Sequence, residues 1–92
     1  MSPPARPATL GAVPQFLIHH RHTATDCGTV YASFHGFASP LRRTSTLSSC
    51  PCGGHDIWWS VEAEDVPAAL ALLPFYVATR ATATRVDPVR IP

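Results

Sequence analysis

Three cysteines, Cys27, Cys50 and Cys52, cannot all pair, and this limits how a chain of 92 residues can stabilise itself. A domain this small buries only about 60–65% of the surface its unfolded chain exposes, so its core alone is marginal. Disulfides, a metal or a second subunit ordinarily make up the difference. An odd number of cysteines, with no apolar secretory run ahead of them, argues against a disulfide framework and for reduced thiols in the cytoplasm. A metal or a homodimer is then the expected remedy. The length leaves room for one ordinary domain. An apolar content of 46% is that of a globular chain rather than a disordered one.

Charge removes further classes. The formal net charge is +1, without the basic stripe that nucleic-acid binding requires. No apolar run is long enough to span a bilayer. All seven basic residues are arginines. That bias fits GC-rich coding, and equally fits selection for bidentate anion binding.

Residues 1–13 are rich in proline and alanine and read as a flexible arm, leaving 14–92 as the folded domain. Phe16 to His22 forms a β-like run, and Thr23 to Asp26 offer helix-capping oxygens. Val30, Phe34 and Phe37 recur at helical spacing beside Tyr31, with Gly36 placed to end that helix. Ala38 to Arg43 is a loop around Pro40, and Thr44 to Ser49 reads as a strand with an exposed face. Pro51, Gly53 and Gly54 form a turn before His55 to Val61, the clearest strand in the chain. Acidic residues and Pro67 announce a helix over 66–73, stopped by Pro74. Tyr76 to Val86 reads as the last strand.

The order β-α-β-β-α-β predicts an α+β, ferredoxin-like fold. It has a four-stranded antiparallel sheet of order 4-1-3-2 and two helices on one face. Alternation places Ile57, Trp59, Val61, Phe16 and Ile18 toward the helices, with His20 and His22 on that side near the sheet end. Leu17, His19, Arg21, Trp58, Ser60, Arg80 and Thr82 are then expected on the open face. A second copy packed there would enclose a lined cavity.

At this point the chain resembles the dimeric α+β barrels, a superfamily that includes muconolactone-isomerase-like proteins and small antibiotic-biosynthesis monooxygenases. The resemblance rests on element order over residues 15–91, on the strand from Gly53 to Ala63, and on the passage from Ala69 to Arg80. It implies a fold and a homodimer, and no particular reaction. A small-molecule ligand would lie against Trp58, Ser60, Leu17 and Thr82. The chemistry expected there is cofactor-independent proton transfer, as in an isomerase, cyclase or monooxygenase. His19 or His20 would be the acid/base, and Arg21 and Arg80 would hold an anion. Ion pairing of these arginines with Asp56 or Glu62 is the competing structural role.

The alternative is a transition-metal protein. Cys50-Pro51-Cys52-Gly53-Gly54-His55 supplies two thiolates and an imidazole in one turn, a donor set for a transition metal such as zinc, copper or nickel. A structural zinc site needs four ligands, and His35, His20 and His22 are the further candidates. If strands one and three run parallel, His20 and His22 lie roughly 20 Å from the cysteine turn. The clusters expected are then His35/Cys50/Cys52/His55 at one end and His20/His22/Cys27 at the other. Cys50 and Cys52 as small turn residues, and Cys27 as a buried helix residue, are the plainer readings. The chain has no phosphate-binding glycine loop, nucleophile elbow or helical metalloprotease motif.

Overall fold

A computed structural model describes residues 13–92; the arm expected over 1–13 lies almost wholly outside that range. Strict alternation builds its two longest strands. In β1 (Gln15–Arg21) Phe16, Ile18 and His20 are buried, and in β3 (Asp56–Glu62) Ile57, Trp59 and Val61 are buried. The intervening residues face the other side of the sheet. β2 (Leu47–Ser48) and β4 (Ala81–Val86) complete a four-stranded sheet of order β2-β3-β1-β4. The strand expected over 44–49 shrinks to two residues, because Leu47 lies on the edge and is exposed.

All strand pairs are antiparallel, including the central β1·β3 pair. The expectation that strands one and three run in the same direction is therefore wrong. Neighbours in an antiparallel sheet must oppose one another, and the register sets His20 against Ile57 and Arg21 against Asp56. The ladder continues one step further, where the His22 amide donates to the His55 carbonyl at 3.0 Å. The end of β1 thus meets the start of β3, beside the cysteine turn.

The helices are shorter than expected. α1 (Cys27–Ala32) follows a 3-10 turn at Ala24–Asp26, and the chain then continues through tight turns rather than a helix to residue 36. Gly36 takes a left-handed φ of 74°, which glycine adopts without steric cost. α2 (Val66–Leu70) begins at Asp65, whose carboxylate accepts from the Ala68 amide at 2.9 Å. The helix expected over 66–73 already ends at Leu70, and Pro74 opens the next one: its carbonyl accepts from the amides of Val77 and Ala78, starting α3 (Phe75–Ala78). The strand expected over Tyr76 to Val86 therefore starts only at Ala81. Burial of Val77 among Ile18, Ile57 and Val30 overrides the β propensity of Tyr76, Val77 and Thr79.

The core lies between one sheet face and the three helices, with Phe16, Ile18, Ile57, Trp59 and Val61 packed on Val30, Ala69, Leu73 and Val77. Fully burying one such side chain contributes about 1.5–3 kcal/mol. No helix among the described residues is long and apolar enough to cross a membrane.

Candidate metal centre

His22, Cys27, Cys50 and His55 converge where β1 leaves the sheet and β3 enters it. Their ligand atoms all lie within 4.8 Å of one another. His22 Nε2 is 3.3 Å from Cys27 Sγ and 3.4 Å from Cys50 Sγ, and Cys27 Sγ is 3.4 Å from His55 Nδ1. A tetrahedral zinc with bonds of about 2.0–2.1 Å to nitrogen and 2.3 Å to sulfur has N···S edges of about 3.6 Å. The protein already holds these donors near that spacing.

Local sequence explains each placement. His22 and His55 are joined by the last rung of the β1–β3 ladder. Cys27 opens α1. Cys50 begins a 3-10 turn, Cys50–Cys52, with Pro51 inside it. Gly53 closes that turn at φ 92° with its amide on the Cys50 carbonyl. Gly54 follows so close to Ser49 that a side chain there would strike it. Ser49 in turn bonds the Asp56 amide, which fixes the turn to the start of β3.

A buried chain of imidazoles sets the protonation of the site. A carbonyl only accepts, so His20 Nδ1 donates to the Val77 carbonyl at 3.2 Å. Neutral His20 then presents the Nε2 lone pair, which accepts from His22 Nδ1 at 3.1 Å. His22 is left with an unprotonated Nε2 aimed at both cysteine sulfurs. A metal-ligating histidine is ordinarily oriented in this way, through its outer ring nitrogen. Burial pushes the pKa of both His20 and His22 down, with their histidine neighbours adding to the effect, and so favours the neutral forms. The Ser48 hydroxyl draws the Cys50 thiol below its ordinary value. Burial, then Cys50, push the Cys27 thiol up.

This grouping corrects the sequence reading. The two clusters expected at opposite ends of the sheet are one, because β1 and β3 are antiparallel. His20 supports the centre through His22 and is not among its four ligands. Cys52 and His35 are exposed and also lie outside it. Cys27, placed with the histidines on sequence grounds, is a full member. No protein-family model, no curated protein and no solved structure matches the chain. The centre is therefore read from its own geometry.

The open face carries the other candidates. His19 stacks on Trp58 with ring centroids 5.4 Å apart, and its Nε2 donates to Asp56 Oδ1 at 2.7 Å. Arg21 Nε donates to the same oxygen at 3.0 Å. The Ser60 hydroxyl accepts from Gln15 at 2.6 Å, while Leu17 and Thr82 are exposed. Arg80 lies before β4, not in it. Its guanidinium sits 4.0 Å from the Tyr76 ring centroid and donates to the Tyr76 carbonyl.

His19 first, then Arg21, hold the Asp56 carboxyl below the ordinary carboxylate range. A depressed folded-state pKa contributes stability that is present above the unfolded value and is lost as pH falls through the folded one. His19→Ala should therefore raise the Asp56 midpoint toward that of a free carboxylate. Carboxyl-carbon NMR titration checks this, and an unchanged midpoint would assign the depression to Arg21 alone.

Proposed function

We propose that this protein binds zinc, in a structural centre formed by His22, Cys27, Cys50 and His55 that ties β1 and α1 to the turn before β3. The observation that carries this reading is His22 Nε2, held as a lone pair between two cysteine sulfurs by the His20–Val77 chain. Two thiolates neutralise a divalent ion, so the centre has no net charge to desolvate. Four protein donors leave no position for water, which fits a structural rather than a catalytic role. Two thiolates and two imidazoles are a donor set that structural zinc takes, which favours zinc over copper or nickel. Elemental analysis of untagged protein should find about one zinc per chain. Metal below about 0.1 equivalents, with no thermal shift on adding zinc, would remove the proposal.

A second reading concerns the open face. The chain would be a ferredoxin-like, dimeric α+β barrel whose two sheets enclose a small molecule, with His19 as acid/base. Support comes from the His19–Asp56 pair. Its Nε2 proton is committed to the carboxylate, which leaves Nδ1 as the lone pair of the neutral ring. Exposed Leu17 and half-buried Trp58 lie on the same face. A dimeric mass in solution that Trp58→Arg converts to a monomer would sustain this reading. A monomeric native chain would end it.

A further inference from the structure

A cavity lies on the opposite side of the sheet from His19 and Trp58. It has a volume of about 390 Å³ and sits between α1, the 41–46 loop and Trp59. That size falls within the range of small-molecule pockets, about 300–1,000 Å³. Tyr31, Phe34 and Trp59 give it aromatic walls, and Arg42, Arg43 and His35 stand on its lining. No acidic residue lines it. Among the described residues, neither arginine has a carboxylate within ion-pair distance, since both ion pairs converge on Asp56.

The loop that carries the arginines is fixed in place. Ser39 Oγ donates to the Leu72 carbonyl at 2.7 Å and accepts from the Leu41 amide at 3.1 Å. Thr44 Oγ1 donates back to the Leu41 carbonyl at 2.7 Å. Arg43 is the only non-glycine among the described residues with a positive φ, 63°. A bulky residue held in the left-handed region has to be compensated by its surroundings, and such positions cluster at ligand sites. Two adjacent guanidiniums beside an aromatic slot match a flat ring that carries a carboxylate.

We propose that this cavity is a binding site for a small aromatic carboxylate, with the ring between Tyr31, Phe34 and Trp59 and the anion on Arg42 and Arg43. The site is separate from the open face; it borders the metal centre at Tyr31, whose hydroxyl lies 3.0 Å from Ser48 Oγ, two residues before Cys50. 2-Naphthoate and its uncharged analogue 2-naphthylmethanol, titrated into the full chain and followed by amide and indole NMR shifts, test it. Trp58 and Trp59 face opposite sides of the sheet, so the two indole signals distinguish the two faces. The proposal expects saturable 2-naphthoate binding that moves the Trp59 signal and leaves Trp58 in place. It further expects affinity at least about tenfold above that of the alcohol, and loss of that preference in Arg42→Gln/Arg43→Gln. Equal affinities, a response centred on Trp58, no saturation at millimolar concentration, or an unchanged preference in the double variant would overturn it.

Discussion

Cys50→Ser should abolish stoichiometric zinc and lower the melting temperature by many degrees. Serine cannot supply a soft anionic donor, and three remaining ligands bind a structural zinc far more weakly. In a chain this short the binding free energy of a structural metal is largely folding free energy. The expected loss is several kcal/mol, against a total near 5–15 kcal/mol for ordinary domains. Each kcal/mol corresponds to roughly 4–8 °C for a domain of this size. Thermal unfolding with and without a chelator measures it. The native chain should fall toward the variant when chelated, and the variant should not respond. A chelator-insensitive native protein would show that the core stands without the metal.

His20→Leu is expected to have the next largest effect, although His20 is not a ligand. Leucine keeps the apolar contacts but removes the acceptor for His22 Nδ1–H and the donor to the Val77 carbonyl. His22 is then free to carry its proton on either nitrogen and to rotate. Loss of such an outer hydrogen bond typically costs 10–100-fold in metal affinity. Competition against a zinc chelator of known affinity reads the change. His20→Gln, which can restore an acceptor toward His22, should recover part of it. Equal affinities for all three proteins would show that the His20 chain does not orient the ligand.

Much of this was legible in the sequence. Alternation in Phe16–His22 and His55–Val61 correctly assigned the buried and open faces, including the burial of His20 and His22 on the helix side. That signal survives because a one-residue slip would turn the whole apolar set into water. The four-residue His/Cys cluster has a mirrored spacing in the sequence: His22 with Cys27 five residues on, and Cys50 with His55 five residues on. It was hidden by strand direction. Placing the two central strands parallel sends the two pairs to opposite ends of the sheet, and placing them antiparallel brings the pairs face to face. The helix at 75–78 was not legible, since Tyr, Val and Thr favour strand locally and only the buried position of Val77 decides otherwise.

Between Cys27 and Cys50 runs a tether of about 22 residues, Gly28 to Ser49, which contributes only α1 and two residues of β2 to regular structure. A cross-link that closes a loop of this length restricts the unfolded chain by roughly 3 kcal/mol on the relation used for disulfides. Tyr31, Phe34, Arg42 and Arg43 all belong to the tether. An ion at its two ends would therefore act as a clasp, and its removal should be felt first as accelerated amide exchange across residues 28–49.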